Sequence, residues 1–393
     1  MIKSINMTDW IDSMAALERL GVKAQTLYAY VSRGLVETRR DPDRPRQNLY
    51  RADDIAALGQ RRTRSRKRAA IATGSMAWGD PSLVTAISTV HRGRLVYRGQ
   101  DAALLAEDRT LEQVAALLWQ SDSEPVFSGP ETPHDTPFAA LATLIPDSRA
   151  SLGRGSARLC RDAQEAIGVL AQSCGIPCGR TEKGGEALHR RLARLWSLDA
   201  GQTELIRRAL VLVADHELNV STFATRVVAS SGASLSASLL AGACALSGPR
   251  HGGATAALTR LMQECAATGM ESGVHGWLDR HGHLPGFGHP LYPAGDVRAL
   301  ALLPHLPDDP THDRVMRPLA ACVLEATGQL PNIDYALVAL ARACGLPASA
   351  PFTLFLLGRS VGWAAHAMEQ AGQNSLIRPR AVYQGLLPEG GAD

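Results

Sequence analysis

Three histidines and one aspartate lie in sequence surroundings that suit catalysis. His251 occurs in Ser-Gly-Pro-Arg-His-Gly-Gly-Ala and His289 in Gly-Phe-Gly-His-Pro-Leu-Tyr, where glycines let the backbone approach a ligand closely. His216 occurs in Asp-His-Glu-Leu-Asn, and Asp334 in Pro-Asn-Ile-Asp-Tyr. A neutral imidazole can donate a hydrogen bond to a carbonyl oxygen, and desolvation raises the pKa of a carboxyl group toward values that suit proton abstraction. A single His is more often structural and an Asp here could cap a helix, but the combination indicates a catalytic site.

Arginines accompany these residues. Arg359 lies in an apolar stretch with Trp363 at i+4 and His366 at i+7, so the three share roughly one helix face. A buried guanidinium group needs an anion, which a substrate carboxylate would supply. Further candidates are Arg298, Arg378 and Arg380. The set predicts a site for a small polyanion, and the alternative is internal pairing with acidic residues such as Asp296 or Glu369.

The elements that must position these residues are mostly helices. Aromatic residues make up 5% of the chain and Ala, Leu and Gly are abundant, which favours a mainly α fold over a β-sandwich. A short β-ribbon is predicted near residues 90–98, and helices are predicted to begin near Asp101 and Thr110. Further helical blocks are Leu205–Ser230, which would place His216 on a helix, Leu235–Leu246, and Ala254–Thr268, whose start would keep His251 neutral.

The first 70 residues differ from the rest in charge and pattern. They hold 15 Lys or Arg against 8 Asp or Glu, a net charge of +7, whereas the remainder carries −4. Two short helical rhythms separated by Gly21 predict a helix-turn-helix, and residues 39–54 predict a β-wing with Tyr50 packed inward and a further helix from Asp53. The segment resembles the winged helix-turn-helix of MerR-type and excisionase-type proteins.

This basic segment is a candidate for DNA binding. The residues expected to start a recognition helix are Lys23, Gln25, Thr26 and Tyr28, and those expected to meet phosphates are Arg39, Arg40, Arg44 and Arg46. The alternative is a docking domain whose charges are merely solvated. The run of basic residues from Arg61 to Arg68 is interpreted as a hinge, which places the module boundary at residue 68.

Several other classes of protein are not indicated. The first residues contain no apolar run of signal-peptide length, so a cytoplasmic protein is expected. The segments Val227–Pro249 and Phe352–Met368 contain polar or charged residues and are expected to be buried helices, with no membrane association. The seven cysteines are expected to be reduced thiols, and because Cys174 and Cys178 lack a second ligand pair, no metal site is expected.

Six segments carry the clearest signal. They are HELNVSTFATRVVASSGAS, SGPRHGGATAAL, GFGHPLYPAGDVRA, PNIDYALVAL, LGRSVGWAAHAMEQ and LIRPRAVYQG. In this order they resemble the motifs of the citrate synthase family, and with VYRGQDAALLA the resemblance extends from about Leu95 to Gly385. It implies a helical homodimer that closes over oxaloacetate and then acetyl-CoA. The expected parts are the module at 1–68, a large domain at 69–252 and 346–393, and a small domain at 253–345.

The resemblance also implies a role for each site residue. Asp334 would take a proton from the acetyl methyl group, His251 would stabilise the resulting enolate, and His289 would polarise the ketone. The residues that would hold substrate carboxylates are His216, Arg298, Arg359 and Arg378, the last reaching into the partner subunit's site. No permanently bound cofactor is expected, since acetyl-CoA is a substrate. Pro290 stands where the family pattern has Arg and Val297 where it has Pro, which affects the expected contacts to coenzyme A.

The predicted activity is that of an acyltransferase that converts the acyl group to an alkyl group on transfer. Acetyl-CoA, oxaloacetate and water would give citrate and coenzyme A, the reaction that begins the tricarboxylic acid cycle. One alternative is a 2-methylcitrate synthase that uses propionyl-CoA. Another is a DNA-binding regulator whose synthase-like body senses a metabolite, but a sensor has no need to keep His251, His289 and Asp334 together.

Overall fold

The chain forms two compact units, residues 1–84 and residues 85–393. The structure, a computed structural model, describes every residue except 1–9, 23–25, 28–29, 32–34, 43, 45–46, 60–82, 132–133, 178–179, 182–183, 308–311, 382 and 386–393.

The first unit combines short helices with a small antiparallel sheet. Its described elements are β1 (Trp10–Ile11), α1 (Ser13–Leu20), β2 (Thr38–Arg40), β3 (Asn48–Arg51) and α2 (residues 52–59), with strand order β1-β3-β2. Asp12 caps α1 by accepting a hydrogen bond from Ala15 N–H, and Gly21 ends it at a φ of 59°. Residues 26–27 and 30–31 are also helical.

A small apolar core holds the first unit together. It consists of Ala16, Leu20, Leu27, Val36, Tyr50 and Ile55. Tyr50 is buried, as the β-wing interpretation expected. The proposed recognition residues Lys23, Gln25 and Tyr28 lie outside the described residues, as do Arg46 and the run Arg61–Arg68.

The second unit is mainly helical. Its helices are α3 (Ala102–Asp108), α4 (Leu111–Trp119), α5 (Pro137–Leu144), α6 (Ser156–Ser173), α7 (Leu188–Leu195), α8 (Ala200–Leu212), α9 (Val220–Ser230), α10 (Leu235–Leu246), α11 (Ala254–Thr268), α12 (Met270–His281), α13 (Val297–Leu302), α14 (Arg317–Thr327), α15 (Ile333–Ala343) and α16 (Ala350–Gln373). A 3₁₀ turn covers Leu303–His305 and a π-helical turn covers His312–Met316. The strands are β4 (Ser88–His91), β5 (Arg94–Tyr97), β6 (Gln100–Asp101), β7 (Arg180–Thr181) and β8 (Gly184–Gly185), of which β4, β5 and β6 form one antiparallel sheet.

Two apolar cores lie on either side of α15. Ile333, Leu337 and Leu340 belong to the larger core, which is built around α16. Tyr335 and Val338 belong to a smaller core with α11, α12 and α14. The N-terminal end of α15, which carries Asp334, therefore lies where the two cores meet.

Buried side chains cap several helices. Thr110 and Gln113 form a reciprocal capping box at the start of α4, as the predicted helix start at Thr110 requires. Glu112 does not take part in this box. Its buried carboxylate instead accepts a hydrogen bond from Leu188 N–H at 2.7 Å and so caps α7, which has no cap of its own.

The predicted continuous helix from Leu205 to Ser230 is wrong. Helix α8 ends at Leu212 and α9 begins only at Val220, so His216 lies in a turn. Within the turn Glu217 has a positive φ of 49°, and Asn219 caps α9 by accepting from the backbone N–H groups of Ser221 and Thr222. Residues 213–216 of this turn are buried like the helix before them, which explains why periodicity alone did not reveal where the helix ends.

Other sequence expectations concern membranes and cysteines. In the part of the chain that the structure describes, no helix has both the length and the apolar content needed to cross a membrane. Cys160, Cys174, Cys244, Cys265, Cys322 and Cys344 are free thiols. Cys178 lies outside the described residues, and among those described no group of three or more His, Cys, Asp or Glu is arranged to hold a metal ion.

Candidate active site

Residues from five separate segments of the second unit meet at one place. The His216 and His289 rings are 4.9 Å apart in an edge-to-face arrangement. The charges of Arg298 and Arg359 act on these histidines and on the other predicted groups. The predicted residues brought together are His216, His251, His289, Arg298, Asp334 and Arg359.

His216 is held by a tyrosine that the sequence argument did not single out. Its Nε2 lies 2.9 Å from Tyr292 Oη, and both side chains are buried. Burial, followed by the charges of Arg298 and His289, lowers the pKa of His216 well below its usual value. The ring is therefore neutral, and when the tyrosine hydroxyl donates to Nε2 the proton of the ring resides on Nδ1.

His289 is oriented by its own loop. Leu291 N–H donates to His289 Nδ1 at 3.2 Å, so in the neutral ring the proton is on Nε2. Burial and then the charge of Arg298 lower the pKa of His289 to about 4. At neutral pH this side chain is a neutral hydrogen-bond donor, which is the form needed to polarise a carbonyl group.

His251 contacts a serine in the capping turn of α9. Ser221 Oγ lies 2.8 Å from His251 Nε2 and 2.7 Å from Asn219 Oδ1, and it accepts a hydrogen bond from Trp363 Nε1. The single hydroxyl proton is donated either to Asn219 or to His251. Donation to Asn219 leaves the His251 ring proton on Nε2, and donation to His251 leaves it on Nδ1. Burial and then the charges of Arg359 and Arg298 lower the pKa of His251 to about 3. Helix α11 begins three residues later as predicted, but burial and arginine charge account for the neutral ring.

Asp334 lies in the first turn of α15 without acting as its cap. Asn332 caps the helix, accepting from the N–H groups of Asp334 and Tyr335, so the capping alternative for Asp334 is wrong. Asp334 Oδ1 is buried and has no hydrogen-bond partner among the described residues. Burial raises the pKa of Asp334 to about 7, with Arg298 and Arg359 opposing the rise and Asp296 adding to it. A carboxylate with one unpartnered oxygen and a pKa near neutrality suits a general base.

Arg298 is paired within the protein. Its Nε and Nη2 donate to the two oxygens of Asp296 at 2.9 and 2.7 Å, and both residues are buried. The internal-pair alternative therefore holds for Arg298. Its remaining nitrogen, Nη1, makes no hydrogen bond to a described residue. The pair is held against α15, since Asp296 also accepts from Ile333 N–H at 3.0 Å.

Arg359 differs from Arg298 in having no carboxylate partner at hydrogen-bond distance among the described residues. Its Nε donates to the carbonyl of Val213 at 2.9 Å and its guanidinium group lies 4.9 Å from the ring of Phe355. Nη2 is buried without a described partner. Burial lowers the pKa of Arg359 to about 10, so the group stays charged at neutral pH. A buried cation with an unpaired nitrogen is an anion site.

A buried chain of polar side chains begins at Asp215, whose charge acts on Arg359. Asp215 accepts from Ser88 Oγ and lies 3.1 Å from His366 Nε2, and the other His366 nitrogen lies 3.1 Å from Arg226. Arg226 in turn donates to Glu369 at 2.6 Å. The predicted common face of Arg359, Trp363 and His366 is confirmed, because all three contact the segment 213–221. Sequence reasoning gave Asp215 and Arg226 no role, because their partners are more than 120 residues away.

The remaining predicted residues lie elsewhere. Arg378 and Arg380 are exposed in the segment that follows α16, and this segment is tied to α9 by the hydrogen bond from Ile377 N–H to Ser230 Oγ. In the first unit, Arg39 and Arg40 are exposed on β2, and the Arg39 guanidinium lies 4.5 Å from the centre of the Trp10 ring.

The contact between Ser221 and His251 leads to a testable prediction. Ser221→Ala removes the hydroxyl group that orients His251, so we expect kcat to fall about tenfold, the worth of one such hydrogen bond. Turnover measured by release of free thiol from acyl-CoA tests this. As a control, Ser231→Ala removes an exposed serine at the C-terminal end of the same helix, whose Oγ donates to the carbonyl of Val228, and should leave kcat unchanged. Equal loss in both variants would mean that the effect arises from α9 and not from His251.

The chain is similar to known proteins over most of its length. Residues 170–380 match the model of the citrate synthase C-terminal domain. The chain is 35% identical over 334 residues to a putative citrate synthase 2 of Mycobacterium tuberculosis, covering 75% of this chain and 88% of that protein. It is 28% identical to a 2-methylcitrate synthase of Shewanella oneidensis, covering 80% and 96%. The fold is similar to that of a citrate synthase from Thermoplasma acidophilum solved as a ternary complex with carboxymethyl coenzyme A and oxaloacetate, with a TM-score of 0.65, 22% identity and coverage of 81% and 98%. By its motifs, its fold and its relatives, the chain belongs to the citrate synthase family.

Proposed function

We propose that this acyl-CoA condensing enzyme joins acetyl-CoA to oxaloacetate and that Asp334, His251 and His289 carry out the reaction. The observation that supports this most directly is that a carboxylate able to act as a base and a guanidinium group able to bind an anion lie in one site. Asp334 has a buried oxygen without a described partner and a pKa raised to about 7, and Arg359 has a buried nitrogen without a described partner. A base and an anion site side by side suit proton removal from one substrate beside a bound dicarboxylate.

The first step would be formation of an enolate. The Asp334 carboxylate takes a proton from the methyl group of acetyl-CoA, and the negative charge develops on the thioester oxygen. Because a thioester α-proton is a weak acid, this transfer needs a donor at that oxygen at the same time. His251 would supply it from Nδ1 in the tautomer in which Ser221 donates to its Nε2.

The second step would form the carbon–carbon bond. The enolate carbon attacks the ketone carbon of oxaloacetate, and the electron pair of the C=O bond moves to oxygen, where the Nε2 proton of His289 is positioned to stabilise it. Water then cleaves the thioester, releasing citrate and coenzyme A. The residues proposed to hold the carboxylates are His216, Arg298 through Nη1, Arg359, and Arg378 from the partner subunit.

Release of free thiol tests this function. Thiol release from acetyl-CoA that requires oxaloacetate is the expected result, and the absence of release with every 2-oxo acid in a panel would contradict it. The same assay run with propionyl-CoA tests the alternative product, 2-methylcitrate. The relative from Shewanella oneidensis supports including this donor. A higher kcat/KM with acetyl-CoA would support citrate as the product and would be consistent with a role in the tricarboxylic acid cycle.

We further propose that the enzyme is a homodimer that pairs through α9 and the segment after α16, with a small domain at residues 253–345 built on the core around Leu258, Leu261 and Val323. Val220 and Val227 lie seven residues apart on one face of α9 and are exposed. Leu376 is exposed beside the end of the same helix, next to the Ile377–Ser230 hydrogen bond. An apolar face of this kind is typical of a subunit interface.

Mixing two inactive variants tests the dimer. If Arg378 completes the partner subunit's site, a dimer of one Arg378→Ala chain and one Asp334→Asn chain contains one site with both defects and one intact site. Random reassociation should then restore about a quarter of wild-type activity. Arg380→Ala is the control. It should be active on its own, before it is mixed with another variant. Failure of the mixture to regain activity, although heterodimers form, would mean that Arg378 acts within its own subunit.

For the first unit we propose a winged helix-turn-helix that binds DNA. The exposed arginines of β2, with Arg39 held against Trp10, give the predicted wing a basic edge. In a mobility-shift assay over a salt series, the affinity should fall steeply with salt, and Arg39→Ala with Arg40→Ala should reduce the slope. Removal of residues 1–68 should abolish retention and leave thiol release intact. If the full chain retains no DNA, the docking-domain alternative is favoured.

A further inference from the structure

Asn332 lies at the point where three parts of the candidate site join. Its Oδ1 accepts hydrogen bonds from the N–H groups of Asp334 and Tyr335 at 3.0 and 3.4 Å. Its Nδ2 donates to the carbonyl of Gly288, the residue before His289, at 3.1 Å. Its backbone N–H donates to Gly286 at 2.9 Å. One amide side chain therefore contacts both the helix that carries Asp334 and the loop that carries His289.

The first N–H groups of α15 are all taken by groups other than Asp334. Asp296 accepts from Ile333 N–H, and Asn332 accepts from the next two. A carboxylate in the first turn of a helix is normally stabilised by these N–H groups, which lowers its pKa. Asp334 receives none of them, and its Oδ1 is buried without a described partner.

We propose that Asn332 is a positioning residue that keeps Asp334 a strong base by occupying the backbone N–H groups its carboxylate would otherwise accept, while it holds the His289 loop in place. This rests on the proposed role of Asp334 as the base.

Other charges around Asp334 do not replace this effect. Asp296 and Arg298, at the start of α13, act on it in opposite directions, and Arg359 acts from α16. Arg317, at the start of α14, acts on the neighbouring Tyr335. Because Arg298 and Arg359 both favour the ionised form, they make Asp334 a weaker base. Asn332 has the opposite effect, because the backbone N–H groups that it occupies cannot donate to the Asp334 carboxylate and lower its pKa.

Two substitutions separate the capping role from the effect on the base. Asn332→Asp keeps an oxygen for the two N–H groups and adds a negative charge beside Asp334, so the acidic limb of kcat/KM against pH should move up by about one unit. Asn332→Ala frees the N–H groups, so the limb should move down by about one unit. Both variants lose the hydrogen bond to the carbonyl of Gly288, so both should lower the plateau value of kcat/KM at high pH. Thr110→Ala, which removes the cap of α4, is the control for a general loss of helix stability and should not move the limb.

The pKa of Asp334 is measured independently by carbon NMR of labelled aspartate, with Asp334→Asn used to assign the signal. Opposite shifts of this pKa in the two Asn332 variants support the inference. No shift, or shifts in the same direction, overturns it, and because Asn332→Asp keeps the cap, a folded variant is available for the measurement. If Asp334→Asn retains full turnover, the proposed function fails, but the NMR titration still decides whether Asn332 controls the carboxylate.

Discussion

Asp334→Asn should lower kcat by about 10³-fold, within the range that general bases contribute, while oxaloacetate binding stays nearly unchanged. The asparagine has the same shape but cannot accept a proton at neutral pH. Asp334 lies near the proposed dicarboxylate site, but its charge has the wrong sign to bind a carboxylate, so its removal should not weaken that complex. The expected signature is therefore a loss of kcat with the oxaloacetate dissociation constant preserved.

The pH dependence of the wild-type enzyme gives a second check on the same residue. The pKa of Asp334 is raised to about 7, and only the ionised form can take a proton. Activity should therefore fall as pH drops below 7, by about tenfold for each pH unit in kcat/KM. Asp334→Asn should lose this limb. A residual activity with an unchanged acidic limb would mean that another group is the base.

Arg359→Met should weaken oxaloacetate binding strongly and cost the free enzyme only about 1 kcal/mol, the worth of its one hydrogen bond, from Nε to the Val213 carbonyl. The guanidinium group is buried with one nitrogen unpaired, so the free enzyme already bears the cost of desolvating it. Loss of a buried, hydrogen-bonded charge from a complex costs about 2–5 kcal/mol, which corresponds to a rise in the dissociation constant of about 30-fold or more. Methionine fills a similar volume without a charge.

Arg191→Met is the matched control for this prediction. Arg191 is also fully buried, but its three guanidinium nitrogens donate to the carbonyls of Pro177 and Phe127 at 2.6 to 2.9 Å. Its removal leaves those carbonyls unpaired, so it should lower the melting temperature and leave oxaloacetate binding intact. Thermal unfolding with and without oxaloacetate measures both effects. If both variants lose stability equally and both still bind oxaloacetate, Arg359 is structural.

The parts of the fold with strong local signals could be predicted from the sequence. Helices α10 and α11 have the predicted bounds, with Ser234 capping the start of α10 and Gly269 ending α11. The common face of Arg359, Trp363 and His366 follows from helical spacing alone. The pairing of Arg298 with Asp296 was foreseen only as an alternative, because spacing shows that two residues are near each other but not which partner the charge prefers.

The contacts that tune the site could not be predicted in the same way. Ser221 meets His251 across 30 residues and Asp215 meets His366 across 151, so no local pattern reports either pair. The turn that carries His216 was missed because residues 213–216 are buried like the helix before them. In the sequence, Asn332 stands two positions before Asp334 and nothing marks its role. Its contacts with the N–H of Asp334 and the carbonyl of Gly288 depend on how the loop at Gly288 folds back.

Helix α16 connects two regions that substrate would need at once. Arg359 lies near its middle, and Gln370, eleven residues later, donates to Ser375 in the segment that leads to Arg378. At 1.5 Å per residue the two positions are about 16 Å apart on one continuous rod. This helix has no proline beyond its first turn and no other break, so its two ends are joined by one continuous element. In the proposed dimer, this helix would therefore join the anion site of one subunit to the segment whose Arg378 serves the other.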